Sequence, residues 1–212
     1  MTAIGPHAGV LLLLVLAQRS AAQTVQAAVY GVAASNSEVD RVRQARGLGV
    51  AGDVGLDLLR GRVHVEVRGV TTSLKADFTV QPDYAMHLLE GVVTYRWRAP
   101  LAFQVAIQRR FFSPDLAAQD VGLVRTGVLS ETRLSSLGAI RGSASYLPLT
   151  RFSGGGDAGF GLELGLGISL GRAGGRWAGL LEYTYQRIDR KVGGQDVPIA
   201  TSIARVGVGA RF

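Results

Sequence analysis

The strongest constraint in this sequence is a polarity that reverses at every residue. From Phe160 to Leu170, the residues Phe160, Leu162, Leu164, Leu166, Ile168 and Leu170 form one apolar row, with Gly161, Glu163, Gly165, Gly167 and Ser169 between them. Successive side chains of a strand point to opposite faces of a sheet, so a period of two places each row on one side, whereas a helix needs a period near 3.6. The alternation recurs in segments of about 11 to 14 residues. Leu48, Val50, Val54, Leu56 and Leu58 oppose Asp53 and Asp57, and Val63, Val65 and Val67 alternate with His64, Glu66 and Arg68. His87, Leu89, Val93, Tyr95 and Trp97 oppose Glu90, Thr94 and Arg96, and Leu101, Phe103, Val105, Ile107 and Arg109 oppose Gln104, Gln108 and Arg110. Trp177, Leu181, Tyr183 and Tyr185 oppose Glu182, Thr184 and Gln186; Ala204, Val206, Val208, Ala210 and Phe212 alternate with Arg205, Gly207, Gly209 and Arg211.

The connections alternate too. Short ones at 60–62, 98–100 and 171–176 take turns with longer, more polar ones at 35–46, 74–83 and 189–198. Tight turns at one end and longer loops at the other describe an up-and-down antiparallel meander. Strands of this length, tilted by about 40°, rise on the order of 28 Å, close to the thickness of a hydrocarbon core. Residues 113–157 contain either one long loop or a further hairpin. Val124 and Val128 flank Thr126 beside Arg125, and Arg133, Ser135, Arg141, Ser143 and Ser145 oppose Leu134, Ile140, Ala144 and Tyr146. The expectation is an all-β closed barrel of ten strands, with eight as the alternative.

Alternation alone does not say which row faces out, because a soluble barrel turns its apolar row inward and a transmembrane barrel turns it outward. The polar rows mix Gly, Ala and Ser with charges of both signs, which suits a narrow interior of paired charges. Lys occurs only at positions 75 and 191, both assigned here to longer loops. Tyr84, Trp97, Trp177 and Tyr185 fall near strand ends, where polar-edged aromatics would meet the water interface. Residues 8–17 (AGVLLLLVLA) are too short for a helical span and precede Ser20-Ala21-Ala22, so residues 1–22 read as a secretory signal peptide and residues 23–212 as the exported barrel domain. The chain lacks Cys, which removes disulfides, thiolate metal sites and Cys nucleophiles from consideration. Its net charge of +7 comes from scattered arginines rather than a cluster, which argues against a nucleic-acid partner.

With this pattern in hand, the final strand, apolar at Val206, Val208, Ala210 and Phe212, resembles the assembly signal of bacterial outer-membrane β-barrels. The segment pattern from about residue 25 to 212 is similar to the small OmpA/OmpX-type barrels. The resemblance implies an integral protein of a Gram-negative outer membrane, inserted by the barrel-assembly machinery, with short turns in the periplasm and loops outside. It also implies contact with outer-membrane lipids and lipopolysaccharide, to which Arg41, Arg43 and Arg46 are candidates to contribute, and a monomeric state.

An outward apolar row leaves Asp53, Asp57, His64, Glu66, Arg68, Glu90, Arg96, Glu163, Glu182 and Arg205 as an interior charge network. His64 and Glu66 share a face, so a catalytic acid/base pair is conceivable, and a barrel enzyme acting on lipid or peptide is one alternative. The paired-Asp with Asp-x-His pattern of omptin-like proteases and the His-x-Ser pattern of lipid A deacylases are both missing from the sequence, so no catalytic residue, cofactor or metal site is assigned. His87 falls on the apolar row, as an interface residue or the mark of a bulge. The string Gly47, Gly49, Gly52 runs straight into a strand and not a helix, so it is not read as a dinucleotide site. The expected role is structural or interactive, with a narrow, side-chain-filled lumen and no large pore; a soluble exported lipocalin-like binder is the other alternative.

Overall fold

The structure, a computed structural model, describes residues 24–38, 43–77, 83–114, 120–172 and 175–212. The signal-peptide reading of residues 1–22 and Arg41 lie outside the described residues, as does the side chain of Arg43. The strands are β1 Thr24–Glu38, β2 Arg43–Leu58, β3 Val63–Ala76, β4 Tyr84–Arg98, β5 Leu101–Ser113 and β6 Val121–Ser135. They continue as β7 Gly138–Phe152, β8 Asp157–Leu170, β9 Trp177–Val192, the two-residue β10 Gln195–Asp196 and β11 Ile199–Arg211. Each long strand pairs antiparallel with its sequence neighbour, β11 pairs with β9 and with β1, and β10 extends only the end of β9. The result is a closed barrel of ten long strands in up-and-down order.

Closure occurs at the β1–β11 seam, whose register runs from Gln26 opposite Arg211 to Glu38 opposite Ile199. Just beyond it, Val25 and Phe212 exchange backbone bonds: the Phe212 N–H donates to the Val25 carbonyl at 2.8 Å, and the Val25 N–H donates to the Phe212 carbonyl at 3.1 Å. Residues 24 and 212 and the turns after β2, β4, β6 and β8 share one end of the barrel; the other five connections share the opposite end.

The apolar rows face outward. Val29, Val67, Val93, Ile107, Leu166 and Val206 are exposed, Ile107 at 69%. The interior is not uniformly polar, however. At the loop end it is packed with apolar side chains: Leu74, Tyr84, Met86 and Phe112 form one buried cluster, and Val121, Leu123, Leu147, Phe152, Ile188 and Ile199 form another. Tyr84 is therefore not an interface aromatic. It shares its parity with Glu90, points inward and meets the Phe112 ring edge-on at 5.4 Å. Trp97 and Trp177 do stand outside.

The strands also run further than the alternating segments indicate. Residues 35–38, 43–46 and 189–192 are strand and not loop, and Lys75 and Lys191 lie on strands. Strands of 13 to 16 residues rise roughly 33 to 41 Å at the usual tilt, beyond an apolar band about 25 Å tall, so their outer ends need no apolar row. In β7 a bulge sets Leu147 and Pro148 against the single residue Arg125, a position where the missing proline N–H costs the ladder nothing. Around His87 the register is continuous; the ring stacks on Phe111 at 5.1 Å and bonds Thr71 at 3.2 Å, so no bulge lies there.

Two inward glycines let β2 and β3 approach closely. A Cβ at Gly47 would strike the Ser73 carbonyl, and one at Gly49 the Thr71 carbonyl, whereas a Cβ at Gly69 meets nothing within 4 Å. Gly47→Ala is expected to lower the stability of the detergent-refolded barrel by about 2 kcal/mol or more, and Gly69→Ala by less than about 0.5 kcal/mol, in urea titrations followed by gel mobility. Equal effects would mean that this contact does not constrain the sheet.

Candidate functional site

The inward faces of the strands meet in a band of charge across the middle of the lumen. It begins near the turn end, where Asp57 on β2 and His64 on β3 face each other in register, with Asp57 Oδ1 3.0 Å from His64 Nδ1. Asp57 also accepts from Gln26 at 2.9 Å and from Arg96 at 3.3 Å, while Arg96 donates to the Gly61 carbonyl at 2.6 Å. On its other side His64 Nε2 lies 3.5 Å from Glu66, which Arg68 engages through Nε and through a second N–H at 3.0 Å.

Arg68 continues to Glu90 at 3.8 Å, and there Arg125 enters from β6. Its guanidinium bridges Glu90 at 2.9 Å and Glu163 at 3.2 Å and is almost fully enclosed. Gln186 holds the other oxygen of Glu163 at 2.9 Å and bonds Gln108 at 2.9 Å. Above it Arg110, 1% exposed, donates to Thr201 and reaches Gln186 at 3.5 Å, while Thr201 donates to Asn36 at 2.9 Å. Two of the Arg110 nitrogens, Nε and one terminal nitrogen, have no hydrogen-bond partner among the described residues. Glu182 and Arg205 form a separate pair, opposite in register on β9 and β11 and 3.5 Å apart. Asp53 stands opposite Arg68 in the β2–β3 register.

Seven of the ten residues assigned from sequence to the network thus lie in one connected path: Asp57, His64, Glu66, Arg68, Glu90, Arg96 and Glu163. The residue that joins its two halves, Arg125, is not among them. Both rows of β6 are largely apolar, Val121 and Leu123 inside and Val124 and Val128 outside, so polarity does not separate its faces. Arg110 sits on the polar row with Gln108, and only the packing around it reveals its depth. His64 lies between two carboxylates, Asp57 and Glu66, and bonds no hydroxyl side chain among the described residues. Among the described residues no group of three or more His, Cys, Asp or Glu could hold a metal ion.

On the turn-end strand, Val206 and Val208 face outward, Ala210 shares their row, and the Phe212 ring lies 4.9 Å beneath the Arg176 guanidinium. Between this rim and the charged band the lumen opens into a vestibule of about 250 Å³.

Ten antiparallel strands closed on themselves, apolar outside and charged within, define the fold class of the outer-membrane β-barrels. No family model matches the sequence, and no curated protein matches it. The structure is similar to the outer membrane protease OmpT of Escherichia coli at 9% identity, covering 90% of this chain and 96% of that one, with a TM-score of 0.51. It is also similar to Neisserial surface protein A at 15% identity, covering 91% of this chain and 98% of that one, with a TM-score of 0.45. The translocator domain of the autotransporter NalP from Neisseria meningitidis is 13% identical, covering 97% of this chain and 96% of that one, with a TM-score of 0.42. Of these three, the OmpT likeness alone exceeds a TM-score of 0.5, and it is a likeness of fold.

Removing one partner of a buried ion pair strands the other charge, which costs about 3 to 5 kcal/mol, whereas exposed pairs contribute about 1 kcal/mol or less. Arg125→Met should therefore destabilise the barrel by about 3 to 5 kcal/mol, and Arg96→Met, whose side chain is 48% exposed, by less than about 1 kcal/mol. Urea midpoints of the two variants check this ranking, and a reversed order would remove Arg125 from the centre of the network.

Proposed function

We propose that the chain is an integral protein of a bacterial outer membrane, exported by its N-terminal signal peptide and inserted by the barrel-assembly machinery. The observation that carries this reading is the inversion of the usual packing rule: side chains such as Val29, Ile107, Leu166 and Val206 stand outside, while Glu90, Arg125 and Glu163 are buried inside. Hydrocarbon is the solvent in which that arrangement is favourable, because apolar surface faces lipid and strand pairing satisfies every backbone group. A soluble lipocalin-like barrel would require the opposite orientation, so that alternative is set aside.

Within the membrane the barrel acts as a closed monomeric scaffold, with its loops outside in contact with lipopolysaccharide. Its lumen admits no solute stream, since the charged band and the two apolar clusters fill it in series. A structural or interaction role fits better than hydrolysis, because the His64 partners are carboxylates.

In membrane fractions the full chain should resist carbonate extraction, shift on boiling in gels, and show no steady conductance in planar bilayers. Met86→Ala with Phe112→Ala, which empties part of the loop-end plug, should raise ion leakage while the heat shift persists. Release by carbonate would contradict the membrane reading; a large conductance of the unaltered barrel would contradict the closed lumen.

A further inference from the structure

The two ends of the lumen are built differently. The loop end is packed with Leu, Met, Phe and Ile, whereas Gly167 and Ser169 on β8 leave inward positions at the turn end small. At Gly167 a Cβ would sit 3.7 Å from both Arg141 and Glu182, so there is room for a side chain that the sequence does not supply. A barrel that needed only a plug would be filled here too. The cavity of about 250 Å³ is instead open at the rim and closed at its floor, where Asp53, Glu66 and Arg68 begin the charged band.

Its charge is unbalanced. Among the described residues seven arginines and four carboxylates line it. Pairing removes three of those carboxylates, Glu66 with Arg68, Glu131 with Arg141 at 3.1 Å and Glu182 with Arg205 at 3.5 Å, and three of the arginines, Arg68, Arg141 and Arg96, the last held by Asp57 at 3.3 Å. Arg133 and Arg211 face the same space with no side-chain partner among the described residues. Arg176 is at the rim, where its guanidinium lies 4.9 and 6.0 Å from the rings of Phe212 and Trp177.

We propose that this vestibule binds a compact multivalent anion bearing phosphate groups. Guanidinium forks match phosphate oxygens in pairs, and a cleft with one excess sign of charge between low-dielectric walls concentrates the opposite ion. The volume falls below the roughly 300 Å³ at which drug-sized sites begin, so the occupant is a diphosphate or a small phosphorylated group and not a polymer. The blocked floor makes the vestibule a receptor and not the entrance to a channel. That it faces the periplasm rests on the membrane reading above; the binding chemistry rests only on the closed barrel.

The test uses the full chain folded in a nonionic detergent, with inorganic pyrophosphate and a short-chain phosphatidic acid as probes. Binding is read by isothermal titration calorimetry: pyrophosphate should bind saturably, and the midpoint should rise at least tenfold between low and high salt. Arg133→Gln with Arg211→Gln should weaken binding at least tenfold, and Gly167→Met should abolish it by filling the space, both with the heat shift intact. If the phosphatidic acid binds more tightly and is displaced by pyrophosphate, the natural occupant is a lipid headgroup; if pyrophosphate binds more tightly, it is a soluble phosphate. No saturable heat of binding for either probe, or binding unaltered in folded variants, overturns the proposal. Loss of carbonate resistance alongside intact pyrophosphate binding would defeat the membrane reading and leave this site standing.

Discussion

The structure depends on the absence of a free sheet edge. A strand at an edge presents a row of unpaired N–H and C=O groups, tolerable in water and prohibitive in hydrocarbon. The β1–β11 seam removes that edge, and the reciprocal bonds between Val25 and Phe212 carry the pairing to the last residue at the turn end. Once the ring is closed, each strand has an inside and an outside, and the period of two sorts its side chains between them. The exposed valines and leucines and the buried arginines and glutamates are both consequences of that closure.

Filling a ten-stranded ring poses a second problem, which the chain solves in two ways. Toward the loop end it uses apolar volume, with Leu74, Met86, Phe112 and Ile188 packed from different strands. At mid-height it uses opposite charges in contact, centred on Arg125 between Glu90 and Glu163. A buried ion pair contributes less to stability than apolar packing of similar size, but it penalises misregister severely, because a one-residue slip would leave carboxylates unpaired. The network is thus better understood as a register device than as a source of stability. Toward the turn end the filling thins to the contacts among Gln26, Asp57, His64 and Arg96, and a cavity remains beside them.

Much of this was legible in the sequence: the all-β class and antiparallel order from the alternation and the turn spacing, ten strands in preference to eight, and the outward apolar rows once the mixed charges of the polar rows were weighed with the alternation. The boundaries were not. Residues 35–38 are polar on both faces and 43–46 carry only Ala45 as an apolar residue where the strands pass beyond the apolar band, and composition there looks like loop. Tyr84 was open to a correct assignment, since it shares the parity of Glu90, but its place at a strand end suggested an interface aromatic. Arg125 was hidden because both faces of β6 carry valine or leucine, and β7 offered no help, since its parity changes across the bulge at Leu147 and Pro148. Alternation reveals faces only where the two faces differ in chemistry. It reveals depth nowhere: parity sets Arg110 on the inward row with Gln108 and Arg109 on the outward row with Ile107, but nothing in it says that Arg110 is only 1% exposed.

Because the chain contains no cysteine, orientation can be measured residue by residue. Single spin labels introduced along β5, through Val105→Cys, Ala106→Cys, Ile107→Cys and Gln108→Cys in the bilayer-reconstituted barrel, would report collision with oxygen, which concentrates in lipid, and with a polar nickel complex, which does not. The account predicts high oxygen accessibility at positions 105 and 107 and low accessibility to both reagents at 106 and 108. Nickel accessibility at 105 and 107, or an accessibility that does not alternate, would contradict the claim that the apolar rows face lipid.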